Sequence, residues 1–264
     1  MAGCTHMAVL EKVRQIFGEG GTRAVLSRGI GVGYRRGVRP FLPEGPPARL
    51  GGVLTCYDVK TADRFVPTSW LPWWMSDPSG CPSYEAALVS GLNAHVRPGD
   101  RVVVVGGGIG VTVVVAALRT GPTGHVECFE GSSENCGFVQ RTASLNAIEN
   151  LTVHHAVVGR NIAVYGSASE VGTVVPPQEL PACDVLELDC EGAEVQILRE
   201  MTIRPRVLLV ETHGVYGAPA PLVAGLMEAV GYTVSDRGWA EPRLPDTCAR
   251  HDIRVLQGLL DPRA

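Results

Sequence analysis

Three glycines and one glutamate carry the first chemical signal in the chain: Gly106, Gly108 and Gly110, with Glu130 twenty residues further on. In RVVVVGGGIG, residues 101–110, a run of valines enters a G-x-G-x-G loop. Residues without Cβ atoms let a ligand press against the backbone N–H groups at the start of the next helix, so the loop suits a nucleoside. A dinucleotide fingerprint would place its third small residue at position 111, where Val111 stands. The observed spacing favours a nucleoside without a pyrophosphate and disfavours an NAD-dependent oxidoreductase. Glu130 closes the apolar segment HVECF and is placed to accept hydrogen bonds from both ribose hydroxyls. Loop and acid together predict S-adenosylmethionine as cofactor.

A second group of chemical residues follows in DVLELDCEGAE, residues 184–194, and in RVLLVETH, residues 206–213. Methyl transfer from a sulfonium is an in-line displacement that depends on orientation, but an alcohol nucleophile must still lose its proton. His213 is the best general base, because its unperturbed pKa of about 6.5 lies near working pH. Asp189 and Glu211 complete the predicted catalytic set. The less favoured alternative is a divalent metal such as Mg²⁺ on Asp189, Glu191 and Glu211, since hard cations take oxygen ligands and acidify a bound hydroxyl. Glu191 and Glu194 also have an electrostatic reason to stand where they do, near a helix N-terminus.

These residues need a scaffold that gathers strand ends. The valine run is stiff and reads as a central parallel strand buried on both faces. Strands are also expected at 125–130, 151–158, 184–189 and 206–210, alternating with helices, and two more follow near the end, one of them antiparallel. The pattern predicts an α/β, Rossmann-like fold: a seven-stranded, mostly parallel sheet with helices on both faces. In such sheets ligands bind beyond the carboxyl ends of the strands, where the glycine loop, Glu130, Asp189 and Glu211 to His213 all fall. His154 and His155 are adjacent on a strand, point to opposite faces and read as structural or surface residues.

Composition narrows the partners. The 264 residues are 45% hydrophobic and 19% charged with a net charge of −4, a globular balance with no electrostatic footprint for nucleic acid. No stretch approaches the roughly 18 uninterrupted apolar residues of a membrane span, and the N-terminus lacks a secretory pattern, so a cytoplasmic protein is expected. Eight cysteines without a C-x-x-C pair suggest neither zinc nor disulfides. Residues 6–17 have helical periodicity, 22–39 hold five arginines without an acid, and PFLPEGPPARLGG at 40–52 reads as a loop or linker. Trp70, Trp73 and Trp74 form an aromatic arm that serves as a lid, as core packing or as a contact in a homo-oligomer.

The segments VVVVGGGIG, CFEGS, HAVVG at 155–159 and, above all, DVLELDCEGAEVQIL at 184–198 resemble the FkbM family of S-adenosylmethionine-dependent methyltransferases. The resemblance covers roughly residues 84–256 and implies a class I methyltransferase domain at 81–264 behind an N-terminal extension at 1–80. It further implies methylation of a hydroxyl on a small molecule or sugar. Cofactor contacts would come from Gly106, Gly108, Gly110, Glu130 and Val157, and Asp189 and Glu191 would fall on the family's acidic motif. Cys190 departs from that motif, where Val or Ile is usual. A non-catalytic cofactor-binding module is the competing function.

Overall fold

The computed structural model describes residues 47–56, 81–159 and 172–260, together with positions 21, 22, 26 and 29. The helix expected over 6–17, the arginines of 22–39 and the tryptophan arm lie outside the described residues. The chain divides into two units, residues 1–46 with 60–76 and residues 47–59 with 77–264, and every element below belongs to the second.

Strand β3 (Arg101–Val105) is central because four consecutive valines bury both of its faces. On one side it pairs in parallel with β4 (His125–Glu130), then β5 (Leu151–Val158) and β6 (Thr173–Val175). On the other it pairs in parallel with β7 (Val185–Leu188), then β8 (Val207–Glu211). The last two strands are β9 (Tyr232–Trp239) at the edge and β10 (Arg254–Leu260), which runs antiparallel to both β8 and β9. The order is β6-β5-β4-β3-β7-β8-β10-β9. Reversal of order on either side of β3 with one antiparallel strand beside the far edge defines a Rossmann-like, mostly parallel sheet. The sheet holds eight strands where seven were expected. The addition is β6, whose three residues are too short to show a period in sequence.

Helices α1 (Ala86–His95), α2 (Val111–Thr120) and α3 (Ser133–Leu145) cover one face of the sheet, and α4 (Glu194–Glu200) and α5 (Ala220–Ala229) cover the other. A further helix, α6 (Pro245–His251), leads into β10. Helix α2 forms despite its run of β-branched residues. Val111, Val113, Val114 and Val115 are at most 5% exposed, and each buried valine gains about 1.5–3 kcal/mol, far above the helix-propensity deficit of at most about 0.7 kcal/mol per residue. Helix α3 begins at Ser132, whose hydroxyl accepts the N–H of Asn135 at 3.3 Å.

One expectation is corrected here. Residues 48–50 of the supposed linker form β1 (Ala48–Leu50), paired antiparallel with β2 (Val53–Thr55) through a tight Gly51-Gly52 turn. The glycines that suggested a linker make a hairpin turn. Val53 joins the core beneath α2 and α3, and Asn146 at the end of α3 bonds both the N–H and the carbonyl of Leu54, at 3.1 and 2.7 Å.

The tightest point of the fold lies where β3 and β7 end. Gly106 has φ 97°, donates its N–H to Phe129 at 2.8 Å, and a Cβ built on it would stand 1.8 Å from the carbonyl oxygen of Asp189. Gly106→Ala is therefore expected to lower the unfolding free energy by about 2–4 kcal/mol in urea titrations, through strain and separation of the two strand ends. An unchanged midpoint would mean that the turn after β7 yields freely.

Candidate functional site

The glycine loop and the acid after β4 are bound to each other. Glu130 is 7% exposed, and its Oε2 accepts the N–H of Gly108 at 2.9 Å. Its Oε1 accepts the N–H of Ser132 at 2.8 Å and the side-chain amide of Asn135 at 3.4 Å. A carboxylate oxygen has two lone pairs, so Oε2 keeps an acceptor position for a ribose hydroxyl while it fixes the loop. The three glycines divide the work. Gly106 lies against β7, and Gly110 caps α2 close to Val139 and Thr142 of α3. Only Gly108, at φ 50°, has nothing within 4 Å of where a Cβ would be, and the ligand cradle is open there. Val157 is half-buried on β5 and packs beside Gly131, one residue past Glu130. Loop, acid and Val157 thus lie together beyond the ends of β3 and β4 and beside the end of β5.

A second group forms where β7 and β8 end. After β7 the chain turns sharply at Glu191 (φ 53°) and Gly192 (φ 103°) before α4. The turn is held by Glu194, fully buried, whose carboxylate accepts the N–H groups of Cys190 at 3.1 Å and Gly192 at 2.6 Å. The same carboxylate accepts from Nδ1 of His213 at 2.9 Å. That bond sets the tautomer and leaves Nε2 directed at Asp189 Oδ1, 3.5 Å away, and Glu211 Oε1, 3.6 Å away. His213 is pinned from behind by a backbone bridge to Ala218 and is 6% exposed. The ring of Tyr216 lies 6.3 Å from the imidazole, tilted by 37°.

Asp189, Glu211 and His213, the residues expected to be catalytic, are thus brought together. Among the described residues they also form the one group whose metal-ligating atoms all lie within 4.8 Å of one another. The alternative metal set read from sequence is altered: Glu191 is outside this group and His213 stands in it, because the turn at Glu191 redirects the chain while Glu194 draws the imidazole in. Sequence reasoning also missed Glu194 itself, having assigned it to helix electrostatics. Its signal was the i, i+4 spacing to Cys190, which lets one side chain close the turn. His154 and His155 take the structural and surface places expected of them, the first stacked on Phe129 at 4.6 Å and the second exposed, with its ring bonded to the carbonyl of Gly131 at 3.1 Å.

Beside Asp189 and Glu211 a cavity of about 180 Å³ is walled by Tyr84, Glu85 and Glu241. Its charge is crowded. Burial, then the charges of Asp189 and its neighbours, push the carboxyls of Glu85 and Glu211 well above the usual range. Glu187, two residues before Asp189 on β7, is fully buried, and neither of its oxygens completes a hydrogen bond among the described residues. Burial pushes it up to about 8, with the nearby Thr112 hydroxyl opposing in part. For His213, burial works against the charged form, but the hydrogen bond to Glu194 and the charge of Asp189 outweigh it, and the pKa is raised.

No family model matches the chain, and no curated protein matches it in sequence. Solved structures do resemble it. Precorrin-6y C5,15-methyltransferase from Geobacter metallireducens aligns at 13% identity over 69% of this chain and 89% of its own, with a TM-score of 0.47. A SAM-dependent methyltransferase from Aquifex aeolicus aligns at 12% identity over 67% and 89%, with a TM-score of 0.41. A SAM-dependent O-methyltransferase from Thermotoga maritima aligns at 14% identity over 70% and 67%, with a TM-score of 0.44. The likeness is one of fold. None of these comparisons singles out the FkbM family.

The burial of Glu187 has a pH signature. Its folded pKa is raised above that of an unfolded glutamate, so its contribution is favourable at low pH and is lost as pH rises from about 4.5 toward about 8. In EDTA-containing buffer, Glu187→Gln is expected to flatten the fall in stability between pH 5 and 8 by up to several kcal/mol relative to the parent. Parallel curves for the two proteins would show that Glu187 does not titrate in this window.

Proposed function

We propose that the protein is an S-adenosylmethionine-dependent methyltransferase that methylates a hydroxyl oxygen on a small molecule or sugar, as FkbM-like enzymes do. The observation that carries this reading is the contact of Gly106 with Asp189. It supports the reading because it sets the glycine loop after β3 beside the carboxylate and imidazole group after β7 and β8. Residues 81–264 form the catalytic domain in this reading, with residues 1–80 as an extension, and the enzyme works in the cytoplasm.

When bound, the cofactor supplies a methyl group already activated on a sulfonium. The chain's own work is then orientation and proton removal. Gly108 leaves room for close backbone approach, Glu130 accepts ribose hydroxyls while holding the loop, and Val157 supplies an apolar wall. On the acceptor side, Glu194 fixes the imidazole of His213 so that Nε2, Asp189 and Glu211 face the same point, where the hydroxyl gives up its proton. Tyr216, 40% exposed beside His213, offers a flat apolar surface to the acceptor's body.

Two measurements test the reading. Calorimetry is expected to show binding of S-adenosylmethionine and its demethylated product but not NAD, and Gly108→Val is expected to weaken that binding at least tenfold with little change in unfolding midpoint. NAD binding at micromolar levels without response to S-adenosylmethionine would overturn the assignment. His213→Ala is expected to lower turnover on hydroxylated acceptors by about 10²- to 10⁴-fold with cofactor affinity nearly intact. Cofactor binding without turnover on any acceptor would favour a non-catalytic binding module.

A further inference from the structure

Asp189, Glu211 and His213 come from the ends of two neighbouring strands, and their ligand atoms all lie within 4.8 Å of one another. With bonds of about 2.1 Å, ligand atoms on one ion stand about 3.0 Å apart in octahedral and about 3.4 Å apart in tetrahedral geometry. Nε2 of His213 lies 3.5 Å from Asp189 Oδ1 and 3.6 Å from Glu211 Oε1. The imidazole is prepared as a ligand: Nδ1–H donates to the buried Glu194 carboxylate, which leaves the Nε2 lone pair facing the two acids. A carboxylate on the far nitrogen is the usual partner of a metal-bound histidine.

A second observation is independent of that geometry. Glu187 lies on the same face of β7 as Asp189, fully buried, and neither of its carboxylate oxygens completes a hydrogen bond among the described residues. Its field reaches Glu85 and Glu211 as well as Asp189. The Thr112 hydroxyl offsets only part of this burial and the charge of Asp189 adds to it, so a hydrated cation at the three ligand atoms would relieve the crowding. Among the described residues, Arg243 is engaged with Glu241 at 2.8 and 2.6 Å on the outer rim.

We infer that Asp189, Glu211 and His213 hold one divalent first-row transition ion, of the Mn²⁺ or Zn²⁺ kind, with a coordination position open toward the acceptor. The imidazole ligand argues against Mg²⁺ or Ca²⁺, which prefer oxygen. The ion's role rests on the hydroxyl-methylation reading, although its binding does not. Bound there, the ion would lower the pKa of an acceptor hydroxyl at the open position, so that its proton could pass to water at working pH. His213 then acts as a ligand and does not take the proton itself.

The test uses full-length protein stripped with EDTA and titrated with MnCl₂ or ZnCl₂ in a calorimeter. One ion per chain at micromolar Kd or tighter is expected, weakened at least tenfold in Glu211→Gln and in Asp189→Asn, and unchanged in Glu191→Gln. Co²⁺ in the same site is expected to give a visible absorption band that both weakened variants lose, and circular dichroism checks that they remain folded. Absence of stoichiometric binding, or equal binding by the parent and the folded variants, overturns the site. S-adenosylmethionine binding, measured separately on the stripped protein, distinguishes the two failures. Loss of the ion with cofactor binding intact sinks only the metal site, whereas ion binding without cofactor binding sinks the methyltransferase reading.

Discussion

The contact between position 106 and the carbonyl of Asp189 is the constraint on which the site depends. Parallel pairing of β3 with β7 brings the two strands side by side, and because their ends face the same way, the loops that follow must share one space. A residue with a Cβ at 106 would hold those loops apart. With glycine there, the turn after β7 closes onto the turn after β3, and the glycine loop stands beside the group formed by Asp189, Glu211 and His213. Sheet register thus determines distances that no local motif could set.

Negative charge is the other quantity that must be managed. Glu194 is buried at no evident penalty because it is saturated: two backbone N–H groups and an imidazole N–H converge on one carboxylate. Glu187 is its opposite, equally buried and without a hydrogen bond among the described residues. The difference follows from position. Glu194 opens a helix after a turn that exposes backbone donors, whereas Glu187 sits inside a strand whose N–H groups are spent on the sheet. Strand interiors offer a carboxylate only other side chains, and at this one they include valine and leucine on the flanking strands, the Thr112 hydroxyl and the like charge of Asp189. Conflict of this sort within an otherwise consistent fold is expected at a working site and is rare elsewhere.

Much of this was legible in the sequence, and the rest has identifiable reasons for not being so. The valine run, the glycine loop and the acids at strand ends are local signals, and the sheet formed around them as periodicity required. Helix α2 was legible only through topology, since its valines favour a strand and burial on all sides reverses that preference. The first strand of the hairpin, 48–50, was missed because Gly51-Gly52 looks the same in a linker and in a turn; what decides is the packing of Val53 under α2 and α3, some 60 or more residues away. Glu130 was legible as an acceptor but not as the clasp of the loop, because its bond to Gly108 spans 22 residues. The place of His213 in the acidic group likewise depends on Glu194, 19 residues earlier and on the opposite side of a strand.

Glu130 and Glu194 also show how one fold separates binding from reaction. Each is a buried carboxylate that accepts backbone N–H groups from the turn after a strand, and so each fixes the geometry of its own loop. They differ in what they face. Glu130 turns its remaining acceptor capacity to the cradle at Gly108, where a neutral ribose would be recognised by hydrogen bonds. Glu194 gives its remaining capacity to His213 and passes its influence through the ring to Nε2, on the side of Asp189 and Glu211. A ligand at the first carboxylate meets an acceptor directly, whereas a ligand at the second meets a nitrogen whose basicity and direction that carboxylate has set. The same device, repeated on either side of β3, would in the proposed reading yield a recognition site in one crevice wall and a reactive one in the other.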